Sequence, residues 1–284
     1  MAQAVLRFVH VTDPHLMPPG TPLYGSHPAE RLAAAFAHIA AHAEEARCVV
    51  LTGDLAHGGR SEGYAVLADL LRELSIPCHL LVGNHDNRET LRRQFPDLPG
   101  DGNDHLQYAV DYGEASLVML DTLKDDDHQG ALCEARLDWL ETTLAARTGR
   151  TVLLFLHHPP FRLEGGERFA EILARHPVAH MFYGHIHRPM HGSWRGIGFS
   201  CQRGTNHQIH MTVTPSPGPM IGSQEPPAYG LITLREGLVH VHDQHFLDDS
   251  PRFRLRNRQA RSAADLDELA AAVSDDAVSD AGGA

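Results

Sequence analysis

Five short segments of this chain combine aspartate, asparagine and histidine in a fixed order. They are Asp13-Pro14-His15, Gly53-Asp54, Gly83-Asn84-His85-Asp86, His157-His158-Pro159-Pro160 and Gly184-His185-Ile186-His187. Imidazole nitrogens together with carboxylate and amide oxygens suit ions such as Fe, Mn and Zn, and affinity order alone does not choose among these metals. A carboxylate can also bridge two ions that lie a few ångström apart. The segments therefore predict a two-metal hydrolytic site.

The apolar runs before these segments predict how the ligands come together. Four segments directly follow a run typical of a β-strand, such as CVVLT at 48–52 and TVLLFL at 151–156, and Asp13 lies two residues after Val11. Open α/β sheets carry their chemistry outside the carboxyl ends of their strands. We therefore expect the ligands to cluster at one sheet edge.

The spacing within the segments suggests individual roles. Asp13 and His15 are one residue apart, so in extended backbone their side chains point the same way and can bind one ion. Asp54 offers two carboxylate oxygens and is the candidate bridge between two ions. His185 and His187, again one residue apart, can serve neighbouring ions.

The segment Gly83-Asn84-His85-Asp86 predicts both a ligand and an acid. The Asn84 amide oxygen would bind a cation without adding negative charge, and its alternative role is to cap the helix that begins near Arg88. His85 is the candidate general acid. Asp86 is expected to accept a hydrogen bond from the His85 imidazole and keep it protonated.

Further polar residues near these segments are candidates for substrate contact. His157 comes first after its strand and is the favoured ligand, whereas His158 is a competing ligand or a substrate-facing residue. Arg162 could bind a phosphate oxygen pair bidentately, and His207 in CQRGTNHQ is a further candidate. The remaining histidines are expected to be solvated or structural, among them His27, His38, His42, His176, His240 and His242.

The hydrophobic pattern predicts an α/β fold with two sheets. Strands alternate with helices at 28–46 and 61–74, and strands at 106–110 and 115–122 begin a second sheet. Helices are predicted at 133–146 and near 169–175, and residues 190–246 are expected to form β-hairpins around a Pro/Gly loop at 215–227. Residues 1–250 are thus predicted to form one catalytic domain.

The tail differs from the rest of the chain. Residues 251–261 contain five arginines and residues 262–284 contain six acids without a basic residue, so -11 of the net charge of -12 belongs to the remaining chain. The Ala/Asp/Ser-rich end is expected to be partly disordered.

Composition excludes several classes of protein. A strongly negative body disfavours long nucleic acids, whose binding depends on neutralising many phosphates with Lys and Arg. No apolar stretch approaches the length of a membrane span. The first residues lack the pattern of a signal peptide, so a cytoplasmic location is expected. The four widely spaced cysteines are predicted to be mostly buried thiols rather than disulfides or a zinc site.

These motifs resemble the calcineurin-like metallophosphoesterases over residues 7 to about 245, in particular the class III cyclic-nucleotide phosphodiesterases and their glycerophosphodiesterase relatives. The resemblance implies a four-layer α/β/β/α sandwich with two mixed central sheets and a dinuclear site between them. It assigns Asp13, His15 and His187 to the first metal, Asn84, His157 and His185 to the second, and Asp54 to the bridge. His85, oriented by Asp86, would contact the phosphate. The phosphodiesterase group often has Asp at the position of His57, which is not a family ligand.

The predicted function is hydrolysis of small phosphodiesters, with 3',5'-cyclic nucleotides favoured, through attack of a metal-bound hydroxide. The substrate contacts would include Asn84, His85, His158, Arg162 and His207. The resemblance also implies a homo-oligomer. The alternatives are a phosphomonoesterase, or a broad-specificity hydrolase of glycerophosphodiesters and phosphonate monoesters. A nuclease should carry a basic track, and a catalytically inactive scaffold should have lost ligands, whereas every ligand position here is filled.

Overall fold

The first half of the protein alternates strands and helices. The computed structural model describes residues 5–43, 45–212 and 219–250. The elements in this half are β1 (Leu6–Val11), α1 (Pro28–His42), β2 (Ala46–Thr52), α2 (Ser61–Arg72), β3 (Cys78–Leu81) and α3 (Arg88–Gln94). A short 3₁₀ turn, His57–Gly59, follows the Asp54 loop.

The second half begins with paired strands and ends with hairpins. Its elements are β4 (Tyr108–Tyr112), β5 (Ala115–Met119), α4 (Glu134–Ala145), β6 (Thr151–Phe155), α5 (Gly166–Arg175), β7 (His180–Tyr183), β8 (Met190–Trp194), β9 (Ile197–Cys201), β10 (Gln208–Ile209), β11 (Gly222–Ser223), β12 (Ala228–Arg235) and β13 (Leu238–His245). Another 3₁₀ turn spans Pro160–Arg162.

These strands form two large mixed sheets. The first has the order β13-β12-β1-β2-β3, in which β1, β2 and β3 are parallel and β12 is antiparallel to β1. The second has the order β4-β5-β6-β7-β9-β8, in which β5, β6, β7 and β9 are parallel. The strands β10 and β11 pair only with each other.

Alternation along the strands produces three apolar layers. Val9 and Val11 of β1 pack with α1 and α2 residues such as Leu32 and Tyr64. Phe8 faces the other way and packs with second-sheet residues such as Phe155. A third cluster joins the outer face of the second sheet to α4 and α5, with Leu154, Leu140 and Phe169 among its members. The predicted α/β/β/α sandwich is thus confirmed.

Two boundary predictions were wrong, and strand pairing explains both. The helix predicted to reach residue 46 ends at His42, because Ala46 already pairs with Arg7 in the first sheet. Gly222–Ser223 belong to the predicted Pro/Gly loop at 215–227, but they pair as a short strand with Gln208–Ile209. The predicted tail at 251–284 lies outside the described residues.

The cysteines are free thiols, as expected. Cys48 and Cys201 are buried and Cys78 is partly buried, whereas Cys133 is exposed. None of the described helices has the length and apolar character required to cross a membrane.

Candidate metal centre

Loops at the carboxyl ends of five parallel strands bring the predicted ligands together. β1, β2 and β3 lead to Asp13, Asp54 and Asn84, while β6 and β7 lead to His157 and His185. Backbone hydrogen bonds join neighbouring loops: the Asp13 N–H donates to Gly53 O over 3.2 Å, and the His15 N–H donates to Asp54 O over 2.8 Å. The predicted residues therefore come together, but from the edges of two sheets and not from the single sheet edge that was expected.

One group of donor atoms is formed by Asp13, His15 and His187. His187 Nε2 lies 3.1 Å from Asp13 Oδ1 and 3.2 Å from His15 Nε2. These side chains are almost fully buried. Together with Asp54 they could hold an ion, since one ligand atom from each of the four lies within 4.8 Å of the others.

A second group is formed by Asn84, His157 and His185. Asn84 Oδ1 lies 3.2 Å from His157 Nε2 and 2.8 Å from His185 Nδ1. The Asn84 amide nitrogen faces away from this group and lies 3.0 Å from His128 Nδ1. The amide oxygen is therefore the atom that the loop presents to an ion.

Asp54 faces both groups with different oxygens. Its Oδ2 lies 3.5 Å from His15 Nε2, and its Oδ1 lies 3.4 Å from His157 Nε2. This is the placement that a bridging carboxylate requires.

Hydrogen bonds on the far side of two imidazoles show that a cation fits between these atoms. His157 Nδ1 donates to the Thr52 carbonyl over 2.7 Å, and His187 Nδ1 donates to the His207 carbonyl over 2.8 Å. A carbonyl oxygen can only accept a hydrogen bond, so Nδ1 must carry the proton of each neutral ring. Nε2 then has a lone pair, and this lone pair faces other acceptor atoms. Donor separations of about 3.3 Å are those of two ligands on one tetrahedral ion with bonds of about 2.0–2.1 Å. The site thus fits two metal ions.

Electrostatics support the same conclusion. Burial lowers the pKa of His157, but the Asp54 and Asp13 carboxylates outweigh it and raise this pKa to about 9. The pKa of His187 is raised against burial by Asp13. Burial lowers the pKa of His185 to about 4 and that of His15 well below its ordinary value. The two carboxylates therefore favour positive charge nearby. Only His157 and His187 supply it by holding a proton, because the pKa values of His185 and His15 are lowered.

The ligand loops have an unusual backbone. Asp13, His15, Asp54, His185 and His187 have φ of 53°, 47°, 48°, 66° and 52°. Non-glycine residues in this left-handed region cost of order 1–3 kcal/mol each and are concentrated at functional sites. The surrounding sheets therefore impose this geometry on the ligands.

Asp86 does not orient the His85 imidazole, so this prediction was wrong. Its Oδ2 accepts from the backbone N–H of Leu55 and of Gly83, and its Oδ1 accepts from the Ala56 N–H and the Tyr64 hydroxyl. Both oxygens are occupied by these four donors. Burial and the nearby Asp54 charge raise the pKa of Asp86 to about 7, against the three amide bonds. Asp86 instead fixes the loops that follow β2 and β3.

His85 lies at the centre of the site with its ring among other imidazoles. Its backbone N–H donates to Asp54 Oδ1 over 2.8 Å. Its ring centroid lies 4.9 Å from that of His15, 5.0 Å from that of His57 and 5.7 Å from that of His128. The ring is therefore adjacent to the predicted ligands, and one of its nitrogens lies within 4.8 Å of ligand atoms of His15 and His57.

The predicted substrate residues differ in their positions. His207 is near the first group, with its ring 4.4 Å from that of His187. His158 accompanies His157 and His185, contacts Thr122 Oγ1 through Nδ1 at 2.8 Å, and has a buried Nε2 without a hydrogen-bond partner. Arg162 is exposed, and no hydrogen bond among the described residues joins its guanidinium to the centre.

The site contains three residues that were not predicted from sequence. Tyr24 is 62% exposed and has its ring 4.7 Å from that of His207. His57 Nδ1 lies 3.3 Å from His15 Nδ1, and His128 contacts the Asn84 amide. Of these three residues, only His57 could have been singled out from the sequence. It follows the Asp54 segment at a position where the phosphodiesterase group often has Asp.

The two-sheet fold and the divided donor set define a metallophosphoesterase. The chain belongs to the calcineurin-like phosphoesterase family, which matches residues 6–189. This result confirms the resemblance and the enzyme class, a metal-dependent phosphoric diester hydrolase.

Relatives agree with this assignment. A probable cyclic nucleotide phosphodiesterase of Rhodopseudomonas palustris is 40% identical over 269 residues, which cover 90% of this chain and 98% of that protein. A probable glycerophosphodiester phosphodiesterase, GpdQ, of Arcobacter nitrofigilis is 31% identical over 174 residues, 57% of this chain and 64% of that protein. The crystal structure of a dimetal phosphatase from Danio rerio has the same fold, with a TM-score of 0.61 at 17% identity, covering 85% of this chain and 99% of that one.

Proposed function

We propose that this enzyme hydrolyses small phosphodiesters, with 3',5'-cyclic nucleotides as its favoured substrates. The observation that carries the proposal is the placement of Asp54 between two groups of three donor atoms. The similarity to the Rhodopseudomonas palustris protein over almost its whole length supports the cyclic-nucleotide preference.

In this proposal, Asp13, His15 and His187 would hold one ion, Asn84, His157 and His185 would hold the other, and Asp54 would serve both. Fe, Mn and Zn all suit these donors. When bound, such ions supply positive charge to the phosphate and lower the pKa of water.

The protein's own contribution is to orient the diester and to supply a proton. An imidazole nitrogen of His85 would donate to the oxygen that leaves phosphorus, because an alkoxide leaves poorly without a proton. His207, beside the first group, and His158, beside the second group, are proposed to contact the substrate. Arg162 is retained as a candidate for a substrate group that extends beyond the centre.

A second candidate function is hydrolysis of glycerophosphodiesters. The similarity to GpdQ of Arcobacter nitrofigilis favours it. Both functions use the same centre, and they differ in the group attached to the phosphate.

We also propose a cytoplasmic homo-oligomer, since cyclic nucleotides are made inside cells. Support for association comes from exposed apolar side chains around β10 and β11: Met211, Met220 and Ile221 are 66%, 83% and 60% exposed. Light scattering of the full chain measures the oligomeric state.

The test is a substrate panel on protein stripped of metal and reloaded with Mn, Zn or Fe. We expect two ions per chain, no turnover before loading, and faster hydrolysis of cyclic nucleotides than of glycerophosphodiesters or phosphomonoesters. Asp54→Ala is the control and should lose bound metal and nearly all turnover. A loaded enzyme that prefers monoesters would overturn the proposal.

A further inference from the structure

His57 lies between a predicted metal ligand and the predicted acid. Its Nδ1 is 3.3 Å from His15 Nδ1. Its ring is nearly parallel to that of His85, with centroids 5.0 Å apart and an interplanar angle of 19°. One half-buried side chain thus contacts two functional imidazoles.

The proton between His57 and His15 can be assigned. His15 Nε2 faces His187 Nε2 and Asp54 Oδ2, so that nitrogen must be a lone pair when a cation is bound. Neutral His15 then carries its proton on Nδ1 and donates it to His57 Nδ1. His57 fixes the tautomer and the ring orientation of a ligand, which is the role of a hydrogen-bond partner behind a metal-binding imidazole.

The stacking contact with His57 also orients the His85 ring. Asp86 does not orient this ring, because both of its carboxylate oxygens accept hydrogen bonds from other groups. Among the described residues the ring neighbours of His85 are His15, at an interplanar angle of 76°, His57, at 19°, and His128, at 49°. His57 is therefore the neighbour that covers a face of the His85 ring.

The backbone holds His57 firmly in this place. Its N–H donates to Leu16 O over 3.0 Å. Two residues later Gly59 has φ of 62°, and a Cβ there would lie 2.7 Å from Asn87 Cβ. The turn is thus fitted closely against the segment that carries His85.

We propose that His57 is a positioning residue that couples the first metal group to the acid: it accepts the His15 Nδ1–H and stacks on the His85 ring. This inference rests on the proposed function. It also gives a physical role to the position at which the chain departs from the Asp common in the resembling group.

Two matched variants separate the two contacts. His57→Asn keeps an acceptor near the position of Nδ1 but removes the ring, whereas His57→Phe keeps a ring but removes the acceptor. Both are compared with the wild-type enzyme by calorimetric metal titration of stripped protein and by kcat on fully loaded protein, after circular dichroism has verified folding.

We expect His57→Phe to weaken binding of one of the two ions by about 10- to 100-fold. His57→Asn should bind both ions with near wild-type affinity. On loaded enzyme it should lower kcat for a cyclic nucleotide by about 10-fold or more, because the acid is displaced. Its kcat for a bis-p-nitrophenyl diester should change little, since that leaving group needs no proton.

The outcomes distinguish the two proposals. If wild type fails to bind two ions or to cleave any diester, the proposed function fails whatever the variants do. If wild type behaves as proposed while both folded variants match it in metal affinity and in both rates, only the role of His57 is overturned. A uniform loss in both variants for both substrates would also overturn it, because it would show a merely structural residue.

Discussion

The His85 ring is near the ligands but is proposed to act on the substrate. We expect His85→Ala to retain both ions and to lower kcat by roughly 10² to 10⁴, the range for loss of a general acid. The loss should be large for an alkoxide leaving group and small for p-nitrophenolate. Metal analysis and the two rates measure it. Loss of an ion would show that His85 is a ligand.

Asp86 accepts hydrogen bonds from three backbone amides, so its removal should act on structure. Asp86→Ala leaves these buried donors unpaired and should lower the free energy of unfolding by about 3–5 kcal/mol. Urea unfolding measures this loss, with the exposed Asp97→Ala as the control. Because Asp86 does not contact the His85 ring, any loss of kcat should be the same for good and poor leaving groups. A loss confined to alkoxides would restore the role that sequence suggested.

Residue type and spacing were sufficient to predict which side chains lie together at this site, because metals select a narrow group of ligands. They were insufficient for Asp86. Adjacency to His85 suggested a contact, but the direction of a side chain depends on backbone torsions, and unpaired amides of a neighbouring loop were better partners. His128 and Tyr24 come from loops whose positions no local pattern determines.

At the scale of elements, the loops after β2, β3 and β6 approach too closely for a side chain at Gly83. An added Cβ would lie 2.2 Å from Asp54 Oδ1 and 2.7 Å from His157 Cε1. Gly83→Ala should therefore displace Asp54 and His157. We expect it to reduce the amount of bound metal and to lower kcat by about 100-fold or more. Gly166→Ala, with open space around its Cβ, is the matched control. Equal metal content in the two variants would contradict this packing argument.

Hydrophobic periodicity predicted the strands, the helices and the change to a second sheet. It did so because each central strand has one face toward helices and one toward the other sheet, which gives long apolar runs. It could not predict that α1 stops at His42 or that Gly222–Ser223 pair as a strand, since both depend on pairing with residues distant in sequence. The left-handed backbone of five ligand residues was likewise invisible, because nothing in an aspartate or histidine encodes it.

For the whole molecule, the pKa of His157 makes stability depend on metal and pH together. Without metal, the folded-state pKa of about 9 exceeds the ordinary value of 6.5. Its contribution to stability is thus fully present below pH 6.5 and is lost as the pH rises through 9. We expect the Tm of stripped protein to fall between pH 6.5 and 9, whereas that of loaded protein stays nearly constant, because a cation replaces the proton. Differential scanning fluorimetry of both forms measures this. Parallel pH curves would refute it.

The order of strands in the first sheet has a consequence for synthesis of the chain. All seven predicted ligands lie within the family-matched residues 6–189, yet β1, which leads to Asp13 and His15, pairs on one side with β12, whose residues are 228–235. A nascent chain that has emerged only to residue 189 therefore holds every donor while β1 remains an edge strand with unpaired backbone groups. All the predicted ligands are thus synthesised well before β12, the strand that pairs with β1. The first sheet covers this side of β1 only after β12 has been made, and contacts this distant in sequence form slowly.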